Sequence, residues 1–170
     1  MKSPQRSGRW LRHLLTDERR AHKAFSADAL ARIGAAIAAG EKHHRGQVRF
    51  VVEPALPLTR VTRGVSPRER ALEVFGLLRI WDTEENCGVL VYLLLADKAV
   101  EIVADRGIDR AVGPQDWATI CRRMETAFAE ERFAAGAEAG IAEINELLAR
   151  HFPDDGRARE NELPDAPLVL

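Results

Sequence analysis

The sequence predicts an α/β fold, an α/β/α sandwich around a small mixed sheet that contains a central β-hairpin. Two strand-like segments support the sheet. QVRFVVE at residues 47–53 has alternate apolar positions, and GVLVYLLLA at residues 88–96 is apolar almost throughout. A strand that is apolar on both sides has to be covered by helices on both faces of the sheet. The 170 residues are enough for one domain with a substantial core.

The predicted order of elements is α, β, α, β, β, α, α, and several helices have clear start or stop signals. Ser26 is a suitable N-cap for a helix that extends to about His44 and precedes the strand at residues 47–53. In the segment SPRE at residues 66–69, serine occupies the cap, proline the first helical position, and glutamate the position that reaches back to the cap. Two further helices are predicted, one from Gly113-Pro114 and one from about Ala134 to Pro153.

The hairpin is predicted from two apolar segments that are close together in the chain. Residues 88–96 and the segment AVEIVA at residues 99–104 are separated only by Asp97 and Lys98. A two-residue connection between such strands is typical of an antiparallel hairpin. In this register Ala96 lies opposite Ala99.

The two ends of the chain differ in charge from the middle. Residues 1–25 are predicted to form a basic N-terminal arm, residues 26–153 the main domain, and residues 154–170 an acidic tail that we expect to be flexible. The arm has two interpretations, either a solvated terminus or a contact with an acidic partner or an anionic membrane surface. The net charge of −1 argues against a general nucleic-acid binder.

Cellular location is predicted from what the sequence lacks. No apolar segment is long enough to form a transmembrane segment, and no signal-peptide core follows the basic residues. Cys87 and Cys121 lie in different predicted elements without CxxC or zinc-type spacing, which suits a reducing compartment. We therefore expect a soluble, cytoplasmic protein.

Two acidic loops are predicted to meet at the end of the hairpin that lies opposite its turn. WDTEEN at residues 81–86 precedes the first strand, and DRGID at residues 105–109 follows the second. Paired antiparallel strands bring these loops to the same end of the sheet. Carboxylate and amide oxygens are the ligands that calcium and magnesium bind, so the loops predict a divalent-metal site. An exposed, charged hairpin end is the simpler alternative. The candidate ligands are Asp82, Glu84, Glu85, Asn86, Asp105 and Asp109.

The sequence offers few candidate nucleophiles for covalent catalysis. Its four serines lie in the arm or at predicted helix caps, and no GxSxG motif occurs. A phosphate-binding GxxxxGK[ST] motif and a dinucleotide-binding GxGxxG motif are also absent. Arg106 could hold a phosphate oxygen or pair with a neighbouring acid.

From Phe75 to Phe152 the sequence resembles the TPM domain, a family also known from thylakoid lumen acid-phosphatase-like proteins. The resemblance is carried by an Ala/Leu/Phe helix before a Trp, by Asn86-x-Gly88-Val89-Leu90 at a strand start, and by Phe133-x-x-Gly136 in the last helix. The chain is most similar to a short, soluble bacterial branch in which WDTE-N-GVL, EIVADRGI and a closing HFP occur together. Residues 26–153 would then form a TPM-like domain.

The resemblance implies an acidic pocket at one edge of the sheet. Some family members are reported to bind calcium or other divalent ions, and acid phosphatase activity is attributed to plant relatives. Bacterial relatives imply an envelope- or membrane-associated protein partner. The implied metal ligands are Asp82, Asn86, Asp105 and Asp109, with Glu84 and Glu85 as further ligands.

Two functions follow from these expectations. The first is a non-catalytic binding or interaction module with a calcium or magnesium ion in the acidic site. The second is a metal-dependent, acid phosphatase-like hydrolase of phosphate esters. In the second function, Asp105 would position a water molecule and Arg106 would hold a non-bridging phosphate oxygen.

Overall fold

The computed structural model describes residues 4–170, with side chains from residue 8 onward, and has one mixed sheet between two layers of helices. The predicted α/β/α sandwich is confirmed. None of the described helices combines the length and apolar character needed to cross a bilayer. The elements are, in chain order, α1 (Pro4–Leu15), α2 (Glu18–Ala24), α3 (Ala27–Gly40), β1 (Gln47–Glu53), α4 (Leu58–Thr62), α5 (Pro67–Leu77), β2 (Gly88–Leu94), a 3₁₀ turn (Leu95–Asp97), β3 (Ala99–Ala104), α6 (Arg106–Asp109), α7 (Pro114–Ala129), α8 (Phe133–His151) and β4 (Leu168–Val169).

The sheet has the strand order β3–β2–β1–β4. β1 and β2 are parallel neighbours, with Phe50 beside Val91, and the chain crosses between them through α4 and α5. β3 runs antiparallel to β2, and β4 runs parallel to β1 at the opposite edge. The hairpin therefore supplies one central strand and one edge strand.

Each face of β2 belongs to a different apolar core, which explains its uninterrupted apolar sequence. Val89, Val91 and Leu93 lie in the core that α3, α7 and α8 cover. Leu90, Tyr92 and Leu94 lie in the core that α4 and α5 cover. Because successive side chains of a strand point to opposite faces, both sets have to be apolar.

The predicted helix starts are present. The Ser66 hydroxyl accepts a hydrogen bond from the Glu69 N–H at 3.1 Å, and the Glu69 carboxylate accepts one from the Ser66 N–H at 2.7 Å. This capping box begins α5. Ser26 caps α3 by accepting a hydrogen bond from the Ala29 N–H at 3.2 Å. Local hydrogen-bonding chemistry is thus sufficient to place both helix starts.

The register of the hairpin differs from the prediction by two residues. Ala99 pairs with Leu94 rather than with Ala96, because residues 95–98 form a four-residue connection. A shift of two residues leaves every side chain on the same face of the sheet, so the alternation of side chains cannot reveal it.

The described part of the predicted N-terminal arm is helical and packs on the domain. Arg9 donates a hydrogen bond to Asp97 in the hairpin turn at 2.9 Å, and His13 is 4% exposed. The Phe25 ring lies in the core, 6.0 Å from the Phe50 ring between centroids. From residue 8 onward, the α1 side chains that contact the domain through hydrogen bonds are Arg9, Arg12 and His13, so an apolar pattern does not reveal the contact.

The tail, predicted to be flexible, lies along the β1 edge of the sheet. Leu163 is buried in the core that α5 covers, and β4 pairs with Val51 and Val52. The Gln47 side-chain oxygen accepts hydrogen bonds from the N–H groups of Glu162 and Leu163 at 2.9 and 3.2 Å. The tail therefore covers a strand edge that would otherwise be open.

Candidate functional site

The two acidic loops meet beside the start of β2. The Asp105 N–H donates a hydrogen bond to the Gly88 carbonyl at 2.8 Å, and the Gly107 N–H donates one to the Asn86 carbonyl at 3.1 Å. A Cβ at Gly107 would lie 2.6 Å from the Asn86 carbonyl oxygen and 2.9 Å from that of Glu85. Only glycine permits this approach, so the junction between the loops contains closely packed backbone oxygens.

The first loop has a shape that depends on particular residues. A Cβ at Gly88 would lie 2.0 Å from the Ile80 carbonyl oxygen, so the chain passes there only with glycine. The Thr83 hydroxyl accepts a hydrogen bond from the Cys87 N–H at 2.9 Å. Asn86 adopts a left-handed backbone conformation, with φ 53°, which asparagine tolerates better than most residues. These features hold the carbonyls of residues 85 and 86 against α6.

Asp105 is the buried carboxylate of the junction. The residue is 5% exposed and caps α6. Its Oδ1 accepts a hydrogen bond from the Arg106 N–H at 2.7 Å. Its Oδ2 is also buried but has no hydrogen-bond donor among the described residues. Buried polar atoms in folded proteins are normally paired, so Oδ2 has bonding capacity that the described chain does not use.

The other predicted ligands are exposed or half-buried at the protein surface. Asp82 is exposed and forms an ion pair with Arg79 at 2.7 Å. Glu84 and Asp109 are exposed, and Asn86 is half-buried. Within residues 4–170, no group of three His, Cys, Asp or Glu side chains is arranged to hold a metal ion. The fold brings the two loops together without bringing their carboxylates together.

The acidic loop before β2 also contacts Arg45 and the C-terminal tail, and the sequence does not indicate these contacts. Glu85 forms ion pairs with Arg45 at 2.9 Å and with Arg159 at 3.0 Å. The Glu162 carboxylate accepts a hydrogen bond from the Glu84 N–H at 2.9 Å. The two tail residues are 74 and 78 positions away from their partners, so no local sequence pattern could indicate these contacts.

Asp105, Arg106 and the two cysteines of the chain are of unequal use for catalysis. Asp105 and Arg106 are adjacent in the chain, but the first is buried and the second is exposed. Burial raises the pKa of the Cys87 thiol, and burial raises the pKa of Cys121 to about 12. Both thiols therefore stay protonated near neutral pH and are poor nucleophiles.

A second carboxylate, Asp97, lies at the turn end of the hairpin with 9% of its side chain exposed. Its Oδ2 accepts a hydrogen bond from Arg9 at 2.9 Å and lies 3.3 Å from His13 Nε2, and its Oδ1 accepts one from Arg12 at 3.3 Å. His13 Nδ1 accepts a hydrogen bond from the Leu56 N–H at 2.9 Å, which leaves Nε2 to face the carboxylate. Burial raises the pKa of Asp97, but His13 and Arg9 outweigh it and hold that pKa well below its usual range.

Comparisons with known proteins agree with this architecture. A family model described as the TPM domain matches residues 19–147, a range that includes both acidic loops. The NMR structure of the BA42 protein from the psychrophilic bacterium Bizionia argentinensis is similar, with a TM-score of 0.73 and 27% sequence identity. That alignment covers 85% of this chain and 94% of the BA42 chain. A search of curated proteins found no match. Because the family model matches more than half of the chain, the chain belongs to the TPM domain family.

Proposed function

We propose that the chain is a binding module with a divalent-cation site, for calcium or magnesium, centred on Asp105. The observation that carries the proposal is the state of this carboxylate. It is 5% exposed, and its Oδ2 has no donor within the described chain. Leaving a buried acceptor unpaired costs roughly 1–3 kcal/mol, and more when the group is charged. A cation at Oδ2 would remove that cost.

Backbone oxygens supply the next ligands in this proposal. The carbonyls of Glu85 and Asn86 lie against Gly107, immediately after the Asp105 cap. These are hard oxygen donors of the kind that both ions bind. Water would complete the coordination, as it does around magnesium ions that have one or two carboxylate ligands.

The proposal predicts a metal-dependent stabilisation that requires Asp105. Thermal unfolding is measured with a chelator and then with calcium, magnesium or manganese. We expect Tm to rise by about 5–10 °C at a cation concentration roughly 100 times Kd, and Asp105→Asn to abolish the rise. Asp28→Asn, which removes an exposed carboxylate on α3, is the matched control and should retain the rise in Tm. No rise with any of the three ions, or an equal rise in Asp105→Asn, would exclude this site.

A hydrolase of phosphate esters is the second candidate, and Arg106 favours it. Its exposed side chain follows the buried Asp105, so a phosphate at the junction could contact the guanidinium group and the proposed cation together. The cation would supply neutralisation of the phosphate charge. Asp105 would orient the attacking water, and Arg106 would hold a non-bridging oxygen.

Hydrolysis of an aryl phosphate separates the two candidates. The hydrolase predicts cation-dependent turnover that falls in both Asp105→Asn and Arg106→Gln. Arg110→Gln, which removes an exposed guanidinium group just after α6, should retain the turnover. If a cation raises the Tm of the unsubstituted protein but this protein does not hydrolyse the aryl phosphate, the hydrolase is rejected and the binding module is supported.

A further inference from the structure

Helix α1 presents an apolar face to solvent. Nine large apolar side chains are exposed in the described chain, and four of them lie within six residues of this helix. The exposed fractions are 43% for Trp10, 44% for Leu11, 55% for Leu14 and 59% for Leu15. At 100° per residue these positions cover one continuous side of the helix, which we call the α1 apolar face. Such a concentration on one short helix is unusual for a surface that only contacts water.

The opposite side of α1 is attached to the domain, so the apolar face has to point outward. Arg9 donates hydrogen bonds to Asp97 at 2.9 Å and to the Val65 carbonyl at 2.8 Å. His13 is 4% exposed and accepts a hydrogen bond from the Leu56 N–H at 2.9 Å. These contacts fix the rotation of the helix about its axis. Burying the apolar face on the domain would require all of them to break.

Positive charge accompanies the α1 apolar face. Residues 1–24 contain seven lysines or arginines and two acidic residues, whereas the whole chain has a net charge of −1. Arg12 lies on the flank of α1 with 56% of its side chain exposed. Arg19, Arg20 and Lys23 are exposed on α2, which begins three residues after Leu15. A basic margin beside exposed tryptophan and leucine is the composition of helices that lie in a membrane interface.

We propose that α1 and α2 form a docking surface for an anionic lipid membrane. The α1 apolar face enters the headgroup region, and the arginines and lysine of α2 contact lipid phosphates. Tryptophan is favoured at this depth because its ring is apolar and its N–H is polar. A second copy of the chain fits less well, because pairing two such helices would bring two basic surfaces together.

Vesicle binding tests the proposal directly. The full chain is sedimented with vesicles of phosphatidylcholine alone or mixed with phosphatidylglycerol, at low and high salt. We expect binding only to the mixed vesicles, with a weaker signal at high salt. Leu14→Glu should abolish it, and Leu77→Glu, which places the same charge on a more exposed leucine of α5, should not. Arg19→Gln should weaken it about five-fold, since each basic residue near an anionic surface contributes roughly 1 kcal/mol.

Tryptophan fluorescence supplies a readout at the docking surface itself. Trp117 is buried, so in a Trp81→Phe background the exposed tryptophan is Trp10. We expect its emission to shift to shorter wavelength with the mixed vesicles. Equal binding to both kinds of vesicle, or binding that Leu14→Glu does not change, would overturn the proposal. Absence of vesicle binding would overturn it as well. If the chain then formed a dimer that Leu14→Glu disrupted, the α1 apolar face would be a contact between two copies rather than a membrane contact.

Discussion

The β2–β3 hairpin has a carboxylate with little solvent exposure at each of its ends, and the protein surrounds the two differently. Asp97, at the turn, faces Arg9, Arg12 and His13, so both of its oxygens have cationic or N–H neighbours. Asp105, at the other end, has one oxygen bonded to a backbone N–H and one without a donor in the described chain. Two similar carboxylates in one supersecondary unit thus have opposite bonding states.

This difference separates a structural carboxylate from a candidate ligand. A buried charge is tolerated when hydrogen bonds and opposite charges surround it, and then its loss destabilises the fold. A buried carboxylate oxygen that lacks a donor gives the fold little, so its presence is better explained by something that binds there. We therefore expect substitutions at the two ends of the hairpin to have different effects on stability.

The largest effect is expected from Asp97→Asn. This change removes the charge that Arg9 and His13 face and leaves two donors with a weaker partner. We expect a loss of about 2–4 kcal/mol in the free energy of unfolding, measured by urea denaturation. Asp109→Asn, an exposed carboxylate at the other end, should change it by less than about 0.5 kcal/mol. Equal effects of the two substitutions would remove the distinction between the ends.

Acid should weaken the turn end in a way that depends on Asp97. The folded-state pKa of Asp97 is depressed, so its stabilisation is complete above the unfolded pKa of about 4 and is lost as pH falls through the folded value. At pH 3 the depressed pKa keeps Asp97 ionised in the folded state, so only part of its stabilisation is lost and the loss should be smaller than in Asp97→Asn. Urea midpoints at pH 7 and pH 3 measure it. If the midpoint falls by the same amount between pH 7 and pH 3 in Asp97→Asn and in the unsubstituted protein, groups other than Asp97 cause the acid effect.

Glu41 should produce the opposite pH dependence near the start of β1. Burial raises its pKa to about 8, while its carboxylate accepts a hydrogen bond from the Val48 N–H at 2.7 Å and lies near Asp165. The unfolded chain loses this proton first, so stability falls as pH rises from about 4.5 to 8.

The matched substitution is Glu41→Gln, which retains an oxygen for the Val48 N–H. We expect the variant to gain about 1–2 kcal/mol relative to the unsubstituted protein between pH 5 and pH 9, after allowing for partial exposure. The measurement is the difference in urea midpoint at each pH. A constant difference across this range would show that Glu41 does not titrate as described.

The smallest effect is expected from Asp105→Asn in the absence of divalent ions. The asparagine oxygen can still cap α6, and removing the unpaired Oδ2 should offset the loss of a charged cap. We expect a change within about 1 kcal/mol in either direction. A loss as large as that of Asp97→Asn would mean that Asp105 has partners that its surroundings do not reveal.

Patterns of apolar residues and local capping predict much of this fold. The uninterrupted apolar β2 predicts a sheet covered on both faces, and SPRE predicts the start of α5, because both signals are local. The two-residue register shift escapes prediction because it preserves the faces of the sheet. Helix α1 escapes because Arg9 and His13, rather than apolar residues, attach its described part to the domain.

The candidate site is predicted only in part. The sequence places the two acidic loops at one end of the hairpin, and the Gly107 contact with Asn86 joins them there. Which carboxylate is buried depends on the path of each loop, and pairing of Glu85 with Arg159 depends on a tail that lies far away in the chain. A list of acidic residues cannot distinguish Asp105 from Asp82 or Glu85, because their differences come from tertiary contacts.

A titration with magnesium or calcium, followed by ¹H–¹⁵N NMR of the backbone amides, tests the central claim most directly. The account predicts that the amides of Arg106 and Gly107, which adjoin the Asp105 carboxylate and the Asn86 carbonyl, shift progressively and saturate. The amides of Asp97 and Lys98 at the turn should not move. Shifts of equal size at both ends of the hairpin, or none at Arg106 and Gly107, would contradict it.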